Sequence, residues 1–192
     1  MDALALLTAD HNRVRGLFTR FKAAKEQEST EDMAALGMTI VKELQVHTSI
    51  EEQHFYPWAG QLSDEIKETI DEGVEEHHVA KTLIDELATL DPSDDTWSAK
   101  MTVLIENVEH HAEEEESEMF RLIRAATSAE DREEMGETLE EAKAALGAPV
   151  LADKIDLTTG ELQQLASEQE IPGRSSMKHD ELAATVAPPG QG

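Results

Sequence analysis

Cysteine is absent from this chain of 192 residues. That excludes disulfides, thiolate metal sites, iron–sulfur clusters and covalent c-type haem attachment. No apolar run approaches a membrane span, and Met1-Asp-Ala-Leu4 lacks the basic and apolar regions of a signal peptide, so a cytoplasmic location is expected. Positive charge is scarce: 16 Lys and Arg against 42 Asp and Glu leave a net charge of −26. A surface this acidic repels nucleic acid and anionic membrane and attracts cations. The length allows one domain of ordinary size with room for a small appendage.

What is present is a doubled pattern of histidine and glutamate. His47 precedes Glu51 by four residues, and His111 precedes Glu115 by four. On a helix such pairs lie one turn apart on one face. Single histidines, His11 and His77, come a helix and turn earlier. With 42 acids in the chain the spacing alone would arise by chance, but the frame around it repeats as well. His11 to His77 is a step of 66, while His47 to His111 and Glu51 to Glu115 are steps of 64. A repeat of this length is a duplicated helical hairpin.

Apolar residues hold the same register in both copies. Ile40 and Leu44 precede His47 as Leu104 and Val108 precede His111, and Phe55 and Met119 follow the glutamates by four. Val14, Phe18 and Phe21 after His11 match Ala80, Ile84 and Leu87 after His77. All six groups therefore sit on buried stripes. A lone histidine there is usually a satisfied core residue, but two buried carboxylates need compensation. Bound cations supply it most simply, and nitrogen and oxygen ligands suit iron, manganese or zinc.

The pattern His11, His47-x-x-x-Glu51, His77, His111-x-x-x-Glu115 resembles the hemerythrin-like, or HHE cation-binding, family. Asp10-His11, Glu51-Glu52-x-x-Phe55-Tyr56-Pro57, Glu76-His77-His78 and Glu115-Glu116-x-x-Met119-Phe120 belong to the likeness, which covers residues 1 to about 126. It implies an all-α, antiparallel up-and-down four-helix bundle. It also implies a non-haem di-iron centre with an oxo or hydroxo bridge that reacts with dioxygen, peroxide or nitric oxide, the centre itself being the catalyst. Oxygen-carrying members have a fifth histidine where this chain has Lys81, and an aspartate five residues after the last histidine. The symmetric set of four histidines and two glutamates is therefore expected to favour redox chemistry over reversible oxygen carriage.

Capping and breaking residues predict helices over about 3–26, from Ser29 with Asp32 as a capping box to Pro57 and Gly60, from Ser63 to about Leu90, and from about Thr96 to Ala126. Connections this short place successive helices antiparallel. Ser128 with Asp131 opens a fifth helix ending near Gly147 and Pro149, with a stripe of Met135, Leu139, Ala142 and Leu146. The first domain is thus 1–147.

Some positions stay open. His110 with Glu114 has the spacing of His111 with Glu115, His78 neighbours His77, and Glu116 is an alternative to Glu115. His54 is an alternative ligand or a neighbour of the centre. Tyr56, the only tyrosine, either brings its hydroxyl to the centre or ends a helix at the surface.

Residues 151–187 read as a different unit. Ile155 to Ala166 and Ile171-Pro-Gly-Arg174-Ser-Ser-Met177-Lys-His-Asp-Glu181-Leu182 resemble the helix-extended-helix of Rho N-terminal or SAP-like modules, which often bind nucleic acid. Arg174 and Lys178, beside His179, are its candidate contacts. Seven acids against three bases from Asp153 to Ala187, without an aromatic, favour a protein partner over nucleic acid. Residues 188–192 read as a flexible end.

Three functions follow from different classes. One is a di-iron catalase- or peroxidase-like oxidoreductase that decomposes peroxide or defends against nitric oxide and oxidative stress. A second is a binding or sensing protein for oxygen, nitric oxide or iron that signals through the tail. The third is a structural bundle whose histidines pair with carboxylates and bind nothing.

Overall fold

Short polar side chains set where the helices begin. The structure, a computed structural model, describes residues 1–147 and, beyond them, Gly160 and Gln163. Asp2 caps α1 (Ala3–Glu26) by accepting from the Leu4 N–H at 2.8 Å. Ser63 caps α4 (Asp64–Leu87), and Asp94 caps α5 (Asp95–Glu114) one residue earlier than the sequence suggested. Ser128 and Asp131 form the expected capping box of α7 (Ala129–Ala145). Gly147 follows that helix at φ 64°, the left-handed conformation that glycine adopts without a Cβ clash.

Three expectations need correction. Ser29 does not cap α2 (Thr30–Ile50), because its hydroxyl donates to the Asp32 carboxylate at 2.6 Å instead of accepting from the backbone. Glu28, at φ 54°, makes the turn before it. Helix α4 stops at Leu87, where Thr89 and Leu90 tighten into bonds to carbonyls three residues back. Leu146 lies beyond the end of α7 and is exposed, so only Met135, Leu139 and Ala142 of the proposed stripe pack inward.

The second and fourth helices each contain a wide turn that periodicity did not reveal. After α2 comes a π turn, Glu51–Phe55, and then α3 (Tyr56–Ala59); after α5 comes a second, Glu115–Met119, and then α6 (Phe120–Ala126). The Tyr56 N–H reaches the Glu51 carbonyl, and the Phe120 N–H reaches that of Glu115, each five residues back. At about 100° per residue, an α-helix carries a fifth residue about 140° from the first. The wider turn brings it back to the same face. Glu51, Phe55 and Tyr56 are therefore all buried, as are Glu115, Met119 and Phe120. Pro57 is tolerated because the regular ladder is already interrupted there.

The rods α1, α2–α3, α4 and α5–α6 make an up-and-down bundle of four helices, and α7 packs on α1 and α2. Two apolar clusters fill it. Val14, Phe18, Phe21, Ile40, Leu44, Ile84, Trp97, Met101 and Leu104 belong to one, and Leu4, Leu7, Ile50, Phe55, Ile66, Ile70, Met119, Phe120, Ile123 and Leu139 to the other. Gly37 permits part of the first: a Cβ there would meet the Trp97 ring at 2.7 Å. His11, His47, His77 and His111 come between members of the two clusters along their own helices, so the polar layer is sandwiched between apolar ones.

The chain divides into two units, Met1–Leu146 and Gly147–Gly192, and the first carries everything described below. The tail module expected at 151–187, with Arg174 and Lys178, lies outside the described residues, as does the end at 188–192. Among the described residues no helix is long and apolar enough to cross a membrane.

Candidate metal centre

One histidine from each of α1, α2, α4 and α5 projects into the polar layer, and all four are buried. His11 Nε2 lies 3.0 Å from His47 Nε2, and His77 Nε2 lies 3.1 Å from His111 Nε2. Two nitrogens about 2.1 Å from one ion and at right angles around it would stand about 3.0 Å apart. Each pair thus has the separation of adjacent ligands on one ion.

The two π-turn glutamates lie between the pairs. Glu51 Oε1 is 3.2 Å from His47 Nε2 and its Oε2 is 3.4 Å from His77 Nε2, so its oxygens are divided between the pairs. Glu115 Oε2 is 3.5 Å from His11 Nε2 and 3.8 Å from His111 Nε2. Two groups of ligand atoms result that could hold metal ions: His11, His47, Glu51 and Glu115, and Glu51, His77 and His111.

Glu51 is the most informative residue of the set. It is 0% exposed, and neither of its oxygens accepts a hydrogen bond. Glu115 Oε2 is likewise buried without a donor. Leaving such groups uncompensated costs several kcal/mol each. A donor set of imidazole nitrogens and bare carboxylate oxygens therefore fits a pair of cations.

Without an ion, protons balance the charge of this layer. Burial and the Glu115 charge push the Glu51 carboxyl well above its ordinary pKa. Glu115 stays low despite burial, because His11 and His111 oppose it. Burial works against a charged His11, yet the adjacent Glu115 carboxylate and the Glu116 bonded to its Nδ1 prevail and raise it to about 9. His47 falls to about 4 because burial outweighs Asp10. Burial also lowers His77.

A second ring of carboxylates aims the imidazoles. His11 Nδ1 donates to Glu116 at 2.8 Å, His77 Nδ1 to Glu52 at 3.0 Å and His111 Nδ1 to Glu76 at 2.8 Å; His47 Nδ1 faces Asp10 at 3.6 Å. With a proton held on Nδ1, each Nε2 faces the centre, and a bound ion would displace the second proton that His11 carries in the ion-free layer. Cations then hold three of these acids: Arg15 on Glu116 at 2.8 Å, Lys81 on Glu52 at 2.6 Å, and Lys143 on Asp10. Lys143 belongs to α7, so the fifth helix reaches the site. These orienting roles were not read from the sequence, although each acid is next in the chain to a proposed ligand.

The remaining candidates separate clearly. Tyr56 is buried; its hydroxyl donates to Glu115 Oε1 at 2.8 Å and lies 3.4 Å from His77 Nε2. Burial and the charge of Glu115 raise its pKa well above the ordinary value, keeping it a donor. Glu116 faces His11 Nδ1 and Arg15 and is in neither group of inner ligand atoms. His54 is half-buried and His78 exposed, and neither joins a group among the described residues. His110 is exposed and joins Glu76 and Glu114 in a separate outer group. Lys81 faces Glu52, not the position of a fifth histidine ligand.

Comparison with known proteins adds a family. The model of the hemerythrin HHE cation binding domain matches residues 2–123. A protein of Nostoc sp. strain PCC 7120 described as a DNA nickase is 27% identical over 145 residues, which are 74% of this chain and 39% of that protein. The chain thus spans about two fifths of that relative's length. No solved structure matches.

Proposed function

The chain belongs to the hemerythrin HHE cation-binding family, and from that premise we propose that it holds two iron ions and uses them to decompose a small oxidant, hydrogen peroxide before dioxygen or nitric oxide. His11 and His47 hold one ion, His77 and His111 the other, and Glu51 and Glu115 are shared between them. The observation that carries this reading is Glu51, a fully buried carboxylate with no hydrogen-bond donor on either oxygen and one oxygen toward each histidine pair. A structural bundle would satisfy that group with donors.

Two iron ions held together can exchange two electrons with one oxidant, the number that peroxide takes up or gives. The chain's own residues do the rest. The outer carboxylates fix the imidazole tautomers, and the apolar clusters exclude bulk water. Tyr56 places a hydroxyl proton at Glu115 Oε1, beside the His77 half. A narrow cleft walled by Val14, Phe18, Leu44 and Val108 reaches His11 and His47 and suits a small uncharged molecule. Nicking of DNA is not carried over, because a net charge of −26 repels a polyanion.

Elemental analysis with an ultraviolet-visible spectrum, before and after adding peroxide, tests the proposal. About two irons per chain and catalytic oxygen release are expected. A well-folded protein that takes up no iron would overturn it. Iron without turnover would overturn the enzyme reading and favour binding or sensing.

A further inference from the structure

The two halves of the centre are covered differently. In the first repeat α7 packs beside Asp10 and His47, Leu7 is buried, and Lys143 holds the Asp10 carboxylate. Sixty-six residues on, Leu7 is replaced by Gly73 and Asp10 by Glu76. Gly73, whose missing Cβ admits the Tyr56 hydroxyl and the His111 ring at 3.3 and 3.4 Å, lines a cleft of about 20 Å³, room for one water or a bare ion. Its lining includes Glu72, Glu114 and Glu118 and descends to His111 and Glu115. Glu115, whose Oε2 is buried without a donor and faces His111 at 3.8 Å, contributes to this wall.

At the same cleft stands the outer group. Glu76, His110 and Glu114 offer ligand atoms within 4.8 Å of one another, with His110 Nε2 3.3 Å from Glu114 Oε1 and 3.8 Å from Glu76 Oε1. His110 and Glu114 each precede an inner residue, His111 and Glu115, on α5. Glu76 serves both sites, since its other oxygen accepts from His111 Nδ1 at 2.8 Å. The other three orienting acids are each held by Arg15, Lys81 or Lys143, whereas among the described residues no lysine or arginine pairs with Glu76. Its cation position is taken by His110, whose Nε2 faces both Glu76 and Glu114.

We propose that Glu76, His110 and Glu114 form an outer divalent-cation site that captures a hydrated metal ion and passes it along the acidic cleft to the His77–His111 half of the centre. The inference rests on the metal-holding reading above. His110 and Glu114 have side chains 62% and 51% exposed, so the site binds weakly and releases quickly. A carboxylate-lined passage with no basic side chain in its wall raises the local concentration of cations. The cleft over His11 is instead walled mostly by apolar side chains, with one carboxylate, Glu109, and the basic Arg15.

The test is the rate of Co²⁺ uptake by the metal-stripped full chain, followed by stopped-flow absorption. The double variant His110→Ala, Glu114→Gln is expected to load at least about fivefold more slowly, within the range of electrostatic steering, and to reach the same final stoichiometry. Glu113→Gln, which removes the same charge from an exposed position outside the cleft, is expected to load at the wild-type rate. Unchanged loading of the double variant, or equal slowing by Glu113→Gln, would overturn the outer site while leaving the inner centre intact. A wild-type protein that takes up no Co²⁺ would instead overturn both readings.

Discussion

Tyr56 donates to Glu115 at 2.8 Å and stacks against His77 with ring centroids 5.5 Å apart, whereas its counterpart 64 residues on, Phe120, stacks against His11 at 6.1 Å and has nothing to donate. A single hydroxyl thus distinguishes the two aromatic rings that flank the centre. It also explains why Glu51 keeps both oxygens bare and Glu115 only one.

Replacing Tyr56 by Phe should remove this difference between the halves, leaving Lys143 and α7 on the first alone. Iron content is expected to stay at two per chain, and the spectroscopic inequivalence of the two ions, read by Mössbauer spectroscopy, should shrink. The metal-free variant should lose about 2 kcal/mol of stability, because a hydrogen bond to a buried charge disappears. An unchanged Mössbauer spectrum would show that the hydroxyl does not reach the ions.

Glu51 should oppose stability when no ion is bound. Metal-free Glu51→Gln is expected to unfold at a denaturant concentration equal to or above that of the metal-free wild type, since it removes a buried carboxyl without hydrogen-bond partners whose charged form burial and Glu115 disfavour. Adding Fe²⁺ should stabilise the wild type and have little effect on the variant. Equal stabilisation of both would remove Glu51 from the ligand set.

Helix α7 is pinned to the start of the chain. A Cβ on Gly136 would fall 1.7 Å from the Met1 carbonyl oxygen, so Gly136→Ala must push the N-terminus and α7 apart. The predicted cost is about 2 kcal/mol, with faster amide exchange confined to α7 and the first turn of α1. Uniform loss of protection would mean that α7 folds as one unit with the bundle.

The same docking should weaken in acid. Burial opposes the Asp2 charge, but its bonds to Arg132 and to the Leu4 N–H outweigh this and lower its pKa below the ordinary 3.8. A carboxyl held low in the folded state contributes stability that is present above pH 3.8 and is lost as pH falls through the folded value. Proteolysis of the α6–α7 junction should rise below about pH 4, and Asp2→Asn should show the high susceptibility already at neutral pH. A pH-independent cleavage rate would refute the role of Asp2.

Much of the bundle was legible because apolar residues repeat with the helix and the hairpin repeats with the fold. The six inward residues were found through their shared register, and the structure brings them into one layer. Ser29 misled because a hydroxyl next to an acid can donate to it as easily as accept from the backbone. The π turns left no trace in helical periodicity, since Phe55 and Met119 fit a regular helix as well; only the burial of Tyr56 and Phe120, one residue further, reveals them. Glu116 was singled out only as an alternative to Glu115, while Asp10, Glu52 and Glu76 had no role that set them apart from the rest of 42 acids; the contacts are remote in sequence, 105 positions in the case of His11 and Glu116.

The placement of the π turns also bears on what a deletion would do. Each begins on its glutamate, at equivalent points of the two hairpins. Losing one residue within either turn would restore a regular helix and rotate everything after it by about 100° against everything before it. The glutamate and the aromatic five residues on could then no longer both face the interior, so these two turns hold the metal layer and the apolar layer beneath it in one register.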